Sequence, residues 1–163
     1  MFNVGIITAS DKGYIGERED ESGKLIDEIV TNNGYAVEKY VILPDEEDTL
    51  FNEMVHMSDD LNVDLILTTG GTGFSERDVT PEATRKAVDR LAPGISEAMR
   101  YYSLSITKRA MLSRGVSGIR NETLIINLPG SPKAVKESLE YIIDSIHHGI
   151  EILKGKTGEC ARK

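Results

Sequence analysis

The sequence predicts an α/β fold, a three-layer α/β/α sandwich around a mostly parallel, Rossmann-like central sheet. Short apolar runs alternate along the chain with segments whose apolar residues recur at helical spacing. The runs contain few polar residues, which is typical of parallel strands buried on both faces. No repeat, linker or shift in composition marks a boundary, so we expect residues 1–163 to form a single domain with a short polar tail from about residue 154.

Three strands and two helices are predicted in the first half of the chain. The strands are the β-branched, apolar runs at residues 4–9, 35–43 and 65–69. Four apolar residues share one face of a helix between the first two strands: Leu25, Ile26, Ile29 and Val30. A second helix, before the third strand, has its own inward face: Leu50, Phe51, Met54 and Val55. This strand and helix order is that of an open parallel sheet.

The second half predicts three helices and a pair of short strands. Thr80 and Pro81 look like the N-cap and first residue of a helix that extends to about Leu91. Pro93-Gly94 breaks this helix, and residues 95–106 are predicted to be helical again. VSGIRNETLIIN, residues 116–127, predicts two strands joined by a turn around Asn121, and Ser131-Pro132 begins the last helix. That helix has a long apolar face to cover the sheet: Val135, Leu139, Ile142, Ile143, Ile146, Ile150 and Leu153.

Composition excludes several classes of partner. The net charge of −8 disfavours a nucleic acid, because its backbone is held by lysine and arginine. No stretch approaches the roughly 20 apolar residues of a membrane span, and no basic leader is present. The single cysteine, Cys160, excludes an internal disulfide, and His56, His147 and His148 lack zinc-ligand spacing and are interpreted as structural or exposed. We expect a cytoplasmic protein without nucleic-acid or membrane partners.

Polar or turn-forming residues follow each of the four predicted parallel strands. They are Ser10-Asp11, Pro44-Asp45, Gly70-Gly71-Thr72-Gly73 and Pro129-Gly130-Ser131. Ligands of open α/β sheets bind beyond the carboxyl ends of the strands, so these loops form the candidate site. Each loop taken singly also has a structural explanation, because turns use glycine, proline, aspartate and serine for their backbone conformations.

The glycine loop at residues 70–73 points to phosphate binding. Three glycines in four residues permit positive φ and allow backbone amides to approach a bulky anion without interference from Cβ atoms. The loop lacks the Lys-Ser/Thr ending of a P-loop, and GGTGFS does not match the dinucleotide fingerprint G-x-G-x-x-G. A nicotinamide- or flavin-dependent enzyme on a similar sheet is therefore disfavoured.

The distribution of charge adds a second indication of an anionic ligand. Residues 98–121 contain five basic side chains and no acidic one: Arg100, Lys108, Arg109, Arg114 and Arg120. This segment is either an electropositive wall or a solvated helix face. Asp45 and Asp78 follow the second and third strands, and Asp78 lies in a turn with no evident structural need for a carboxylate. Two carboxylates beside a phosphate site suggest Mg²⁺.

Three motifs together resemble a known family. TTGGTGFSERDVTPEAT (68–84), AMLSRGVSGIR (110–120) and LIINLPGSPKAVKE (124–137) are similar to the molybdenum-cofactor biosynthesis proteins that adenylylate molybdopterin, including the G domains of gephyrin and its plant counterpart. The resemblance extends from about Val4 to Leu153. A sister branch shares the fold and the glycine loop but loses the Arg-Asp-Val-Thr-Pro run and the Pro-Asp after the second strand. This chain keeps both.

The resemblance implies an activity and a role for each site residue. The chain, a single molybdopterin-binding domain, would be a nucleotidyltransferase that transfers AMP from ATP to the terminal phosphate of molybdopterin and releases pyrophosphate. Asp45 and Asp78 would be catalytic and would hold or orient Mg²⁺. The other residues would bind substrate: Ser10, Thr69, Gly70, Gly71, Thr72, Gly73, Pro129, Gly130 and Ser131. A phosphate nucleophile is already ionised at neutral pH, so no Ser-His pair is needed.

Further expectations and alternatives follow from the same resemblance. It implies a homotrimer and transfer of the product to a molybdenum-insertion protein. Ser10 has a competing interpretation, since a serine after a strand also caps turns. A non-catalytic molybdopterin-binding or scaffold protein of the sister branch stays open as an alternative, although the presence of both Asp45 and Asp78 argues against it.

Overall fold

The computed structural model describes residues 1–156, which contain six strands and six helices. The strands are β1 (Asn3–Ala9), β2 (Ala36–Leu43), β3 (Leu65–Thr69), β4 (Arg90–Leu91), β5 (Ser117–Arg120) and β6 (Thr123–Leu128). The helices are α1 (Asp11–Tyr14), α2 (Glu21–Asn32), α3 (Glu47–Val55), α4 (Thr80–Ala87), α5 (Pro93–Leu104) and α6 (Pro132–Leu153). A π-helical turn at His56–Asp60 extends α3, and a 3₁₀ segment at Lys108–Leu112 follows α5. Cys160 lies outside the described residues.

The six strands form one sheet in the order β2-β1-β3-β6-β5-β4. β2, β1, β3 and β6 run parallel, whereas β5 pairs antiparallel with β6 and with β4. The predicted mostly parallel sheet is confirmed. The chain passes from β1 to β2 on one side and then to β3 on the other, so the order reverses between β1 and β3. Open α/β sheets bind ligands at such a switch point.

Helices cover both faces of the sheet, which confirms the predicted three-layer sandwich. Successive strand residues point to opposite faces, and both sets are buried. One set packs with α2, α5 and α6: Ile6, Leu67 and Ile126. The other packs with α3 and α4: Ile7, Ile66 and Ile125. Each of these side chains contributes roughly 1.5–3 kcal/mol through removal of apolar surface from water. No helix within residues 1–156 has the length and apolar character required to cross a membrane.

The end of α4 differs from the prediction, because the helix stops at Ala87 rather than near Leu91. Val88 is extended and packs against the core beneath α3 and α4. The amides of Asp89 and Ala92 donate to carbonyl oxygens of β5 at 2.8 and 2.9 Å. In a longer helix these amides would donate to carbonyl oxygens of the helix itself. Here they pair with β5, and the short strand β4 covers its edge.

The predicted pair of strands after residue 116 is confirmed as the hairpin of β5 and β6. Asn121 occupies its turn with φ of 51°, a left-handed conformation that asparagine adopts more readily than most residues. The hairpin places the end of β6 beside β3, and the loop before α6 therefore reaches the edge of the sheet where β1 and β3 end.

Candidate active site

Eight of the eleven predicted site residues line one cavity at the switch point between β1 and β3. The cavity has a volume of about 710 Å³ and receives loops from the carboxyl ends of all four parallel strands. The eight residues are Ser10, Asp45, Thr69, Gly70, Gly71, Asp78, Gly130 and Ser131. Thr72, Gly73 and Pro129 lie outside this lining, and Pro129 borders a second cavity of about 220 Å³ between α5 and α6.

Gly70 and Gly71 adopt the positive φ on which the phosphate-loop interpretation depends, at 87° and 67°. A Cβ on Gly70 would lie 2.3 Å from a carbonyl oxygen at the end of β1, and one on Gly71 would lie 2.3 Å from Oγ1 of Thr80. A Cβ on Gly73 would lie 2.8 Å from Oδ2 of Asp78. The loop needs glycine both for its backbone conformation and for close approach to its neighbours.

Threonine side chains hold the glycine loop between the elements that flank it. The sequence predicts Thr80 as the N-cap of α4, but Val79 occupies that position. The Thr80 hydroxyl and amide donate instead to the carbonyl oxygens of the first two loop glycines, at 3.0 and 3.1 Å. Thr69 Oγ1 donates to the carbonyl oxygen of Pro129 at 2.6 Å, which ties the end of β3 to the end of β6.

Arg114 supports the glycine loop from behind. Its Nε donates to the carbonyl oxygen of Gly73 at 2.7 Å, and Nη2 donates to that of Asp78 at 2.6 Å. Nη1 forms an ion pair with Glu82 on α4. The Arg114 amide also donates to the carbonyl oxygen of Thr72 at 2.9 Å. The guanidinium therefore fixes both ends of the turn that carries Asp78.

Three arginines of the basic segment form hydrogen bonds within the fold, and one of them, Arg114, contacts the glycine loop. Arg114 pairs with Glu82, Arg120 pairs with Asp59 through Nε at 2.9 Å, and Arg100 donates to a backbone carbonyl at 2.9 Å. Acidic partners therefore neutralise Arg114 and Arg120 within the fold, whereas Arg100 lines the cavity between α5 and α6. These ion pairs could not be predicted from the sequence, because the acidic partners lie 32 and 61 residues from their arginines.

Asp45 reaches the cavity from the loop after β2. Its Oδ2 accepts a hydrogen bond from the amide of Asp11 at 2.9 Å, and its own amide donates to Oδ1 of Asp11 at 3.0 Å. Burial raises the pKa of the Asp45 carboxyl above its ordinary value, and the negative charges of Asp11 and Asp78 act in the same direction. A half-buried carboxylate that is repelled by two others favours a cation beside it.

Asp78 lies on the same cavity and also has a structural role. Its Oδ2 accepts a hydrogen bond from the amide of Ser75 at 2.9 Å, and its amide donates to the carbonyl oxygen of Ser75 at 3.0 Å. The expectation that this turn has no structural use for a carboxylate is therefore wrong. The side chain closes the turn with one oxygen while it lines the cavity.

Ser10 and Ser131 both cap helices at the border of the cavity. Ser10 Oγ accepts from the amide of Gly13 at 3.0 Å and caps α1, as the competing interpretation of this residue requires. Ser131 Oγ accepts from the amide of Ala134 at 3.3 Å and caps α6, as predicted. Both serines line the cavity as well, so capping does not remove them from the site.

A buried polar cluster at the start of α2 was not predicted from the sequence. Asp20 caps this helix by accepting from the amide of Gly23 at 2.9 Å, and it also accepts from the hydroxyls of Thr8, at 2.6 Å, and Tyr40. Burial and the bond to Asp20 raise the pKa of Tyr40. An aspartate before a helical pattern is an N-cap signal, so the sequence could have shown Asp20 but not its partners on β1 and β2.

Charged side chains in the lining of the cavity are mostly negative. They are Arg18, Glu19, Glu21, Asp45 and Asp78. A polyphosphate would be repelled here unless a cation offsets the carboxylates. Within residues 1–156, no three histidine, cysteine or acidic side chains form a ready-made metal cluster. Two carboxylates with room for a ligand fit Mg²⁺, which commonly completes its shell with substrate phosphates and water.

The three histidines have partners away from the cavity. Nδ1 of His56 lies 2.8 Å from Oδ2 of Asp60, and Nδ1 of His147 lies 3.1 Å from the hydroxyl of Tyr35. His148 lies 3.5 Å from a carboxylate oxygen on its own helix. The interpretation of the histidines as structural or exposed is confirmed.

Comparisons with known proteins give one family match and three similar proteins. Residues 5–148 match a family model described as a probable molybdopterin binding domain. The chain is 41% identical over 157 residues to the molybdopterin adenylyltransferase of Helicobacter pylori J99, which covers 94% of this chain and 88% of that protein. It is 39% identical over 154 residues to the molybdopterin adenylyltransferase of Escherichia coli K12, with 90% and 78% covered. It superposes on the crystal structure of the molybdopterin biosynthesis enzyme MoaB from Thermus thermophilus with a TM-score of 0.91 and 46% identity, covering 98% of this chain and 100% of that one.

Proposed function

The chain belongs to the family of probable molybdopterin binding domains, and from this premise we propose that it is a molybdopterin adenylyltransferase. The reaction transfers AMP from ATP to the terminal phosphate of molybdopterin. An oxygen of that phosphate attacks the α-phosphorus of ATP and forms a P–O–P bond. The bond from the α-phosphorus to the bridging oxygen breaks, and pyrophosphate leaves with the electron pair.

One observation carries this proposal beyond family membership. The glycine loop and both carboxylates, Asp45 and Asp78, converge on a single cavity at the switch point of the sheet. The loop presents backbone to the cavity through Gly70 and Gly71 in conformations that admit no side chain. Backbone amides for phosphate and carboxylates for a cation are the two requirements of a nucleotidyl transfer site.

The protein groups around the cavity suit phosphate substrates. Helix α6 begins at Pro132, and its first turn and its N-cap Ser131 line the cavity, so the positive end of its dipole lies beside the ligand. Phosphate nucleophiles are ionised at neutral pH and need no general base. Positioning two phosphates in line and excluding water between them then supplies most of the catalysis.

Asp45 and Asp78 would hold Mg²⁺ in this proposal. Support comes from the raised pKa of Asp45, which burial and two neighbouring carboxylates cause in the protein without a cation. When bound, Mg²⁺ would offset negative charge on the phosphates of ATP. The carboxylates of the protein would orient it, and Asp78 would keep its second oxygen on the turn that it closes.

The non-catalytic scaffold protein is the second candidate function. It would keep the glycine loop and the cavity without needing carboxylates at positions 45 and 78. Burial and the charges of Asp11 and Asp78 raise the pKa of Asp45 and so oppose its ionisation, although the Asp11 amide donates a hydrogen bond to its carboxylate. A carboxylate kept at such a cost favours a catalytic role over a purely binding one.

We also propose that the protein is a cytoplasmic homotrimer that passes its product to a molybdenum-insertion protein. Large apolar side chains are exposed on and just after α5 and suit burial between subunits: Tyr101, Leu104, Ile106, Met111 and Leu112. Tyr101 is 77% exposed and Met111 62%. Light scattering that gives the mass of one 18.0 kDa chain would contradict the trimer.

The proposed activity is tested with purified protein, ATP, Mg²⁺ and molybdopterin. We expect an adenylylated pterin, identified by its mass, to appear together with pyrophosphate. Omission of Mg²⁺ and addition of chelator should each stop the reaction. A protein that binds molybdopterin but leaves ATP intact would support the scaffold alternative instead.

A further inference from the structure

A bidentate ion pair bridges two loops beside Asp45, next to the cavity of the candidate site. Nε of Arg77 donates to Oδ2 of Asp11 at 2.9 Å, and Nη2 donates to Oδ1 at 2.8 Å. Arg77 lies four residues after the glycine loop, next to Asp78, and Asp11 follows β1. The side chains are 57% and 43% exposed, so water screens their attraction and the pair adds little to stability. Stability alone does not account for this arrangement.

Asp11 is held in place independently of Arg77. Its Oδ1 accepts from the amide of Asp45 at 3.0 Å, and its own amide donates to Oδ2 of Asp45 at 2.9 Å. These two bonds fix the Asp11 carboxylate beside Asp45. The guanidinium, in contrast, is at the end of a flexible and exposed side chain, so Arg77 can leave the pair while Asp11 stays.

Arg77 is also the basic side chain in the lining of an acidic cavity, and Lys86 pairs with Asp48 at the same patch. This third, open cavity adjoins Asp45, and its charged lining residues are Asp45, Glu46, Glu47, Asp48, Glu76 and Arg77. The five carboxylates repel a polyphosphate, so Arg77 is the lining side chain that would attract one, together with a cation that offsets the acidic charge. The planar fork that now binds a carboxylate also matches two oxygens of a phosphate.

We propose that Arg77 is a further catalytic residue, which exchanges Asp11 for the phosphates of ATP that leave as pyrophosphate. The inference rests on the proposed adenylyl transfer. As the bond to the α-phosphorus breaks, negative charge grows on the leaving pyrophosphate, and Arg77 stabilises that charge. Asp11 is the resting partner that keeps the guanidinium next to the cavity until nucleotide arrives.

Turnover is the first test. Arg77→Ala should reduce adenylylation by at least about 10³-fold, the low end of the effect of an arginine directed at a transferring phosphate group. Arg77→Lys should recover little, because an ammonium cannot form the fork. Lys136→Ala is the matched control, since Lys136 lies 4.0 Å from Glu140 in an exposed pair on α6, outside both cavities. The control should keep wild-type turnover, and normal turnover of Arg77→Ala would overturn the proposal.

Calorimetry of inorganic pyrophosphate binding in the presence of Mg²⁺ is the second test. It measures whether Arg77 leaves Asp11 for a phosphate ligand without requiring adenylyl transfer. Arg77→Ala should bind pyrophosphate at least about 10-fold more weakly, as expected for loss of charge-assisted hydrogen bonds. Asp11→Asn keeps an acceptor for the amide of Asp45 but releases Arg77, so it should bind pyrophosphate more tightly than the wild type. Weakening by both variants would show that the pair only tethers two loops, which refutes the exchange. If the two variants change pyrophosphate binding as predicted but the wild type does not adenylylate molybdopterin, the proposed function is refuted. The role of Arg77 in binding pyrophosphate would then stand by itself.

Discussion

Asp78→Asn tests the catalytic assignment with little disturbance of the fold. Asparagine has the same shape as aspartate, and its Oδ1 can still accept the hydrogen bond from the amide of Ser75 that Asp78 accepts at 2.9 Å. The bond from Arg114 goes to the backbone carbonyl of residue 78 at 2.6 Å and does not depend on the side chain. The substitution therefore removes one negative charge from the cavity and leaves the turn closed.

The two possible roles of Asp78 predict effects of different size. Exchange of a charged acceptor for a neutral one at the Ser75 amide should cost about 1 kcal/mol of unfolding free energy, or roughly 2–4 °C in Tm for a chain of this size. Loss of a charge needed in the transition state should reduce adenylylation by at least about 10²-fold, which corresponds to about 3 kcal/mol in the barrier. Molybdopterin binding should change little.

Three measurements on each of three proteins distinguish the roles. Steady-state adenylylation, molybdopterin affinity and Tm are compared for the wild type, Asp78→Asn and Asp60→Asn. The last variant removes a carboxylate that pairs with His56, before β3 and away from the cavity, and should keep normal turnover. Near-normal turnover of Asp78→Asn with a lowered Tm would refute the reasoning and assign Asp78 to the turn alone.

Three further substitutions probe the loop and its neighbours. Gly70→Ala should lower the free energy of unfolding by at least about 1–2 kcal/mol, because its φ of 87° is strained for alanine and the Cβ would lie 2.3 Å from a carbonyl oxygen. Chemical denaturation should show no such loss for Gly149→Ala, where the Cβ meets open space. Arg114→Ala should weaken molybdopterin binding equally at low and high salt, since the guanidinium holds the loop by short hydrogen bonds; a loss confined to low salt would restore the electropositive wall. Asp45→Asn should abolish adenylylation yet raise the free energy of unfolding at pH 7. The raised pKa of Asp45 means that its ionisation opposes folding above its ordinary value of 3.8, so the gain should disappear in denaturation curves below that pH; equal stability of the two proteins at pH 7 would contradict the repulsion.

The sequence predicted the sheet and its covering helices because both depend on local pattern. Strands β1 and β3 are short apolar runs between turn residues, and α6 carries an apolar face along 22 residues. The strand β4 could not be predicted, since two exposed residues take strand conformation only because β5 offers an unpaired edge. Likewise, Thr80 has the sequence pattern of an N-cap, but its hydroxyl donates a hydrogen bond to the carbonyl oxygen of Gly70 instead.

The site was predicted in part for a similar reason. A parallel sheet brings the residues after β1, β2, β3 and β6 to one edge, so loop positions alone placed Asp45, Asp78 and the first two glycines together. The hydrogen bonds and ion pairs between these loops join residues that are distant in the sequence, so local patterns do not predict them. Arg114 and Arg77 look like unpaired cations in the sequence, and only the fold shows that one supports the glycine loop and the other pairs with Asp11.

The fate of the α-phosphorus of ATP tests the proposed adenylyl transfer most directly. The protein is incubated with molybdopterin, Mg²⁺ and ATP labelled at either the α- or the γ-phosphorus, and the pterin is separated from the nucleotides. Adenylyl transfer predicts that the α-label enters the pterin, that the γ-label appears in pyrophosphate, and that one pyrophosphate forms for each adenylylated pterin. Entry of the γ-label into the pterin, or intact ATP beside bound molybdopterin, would contradict the account.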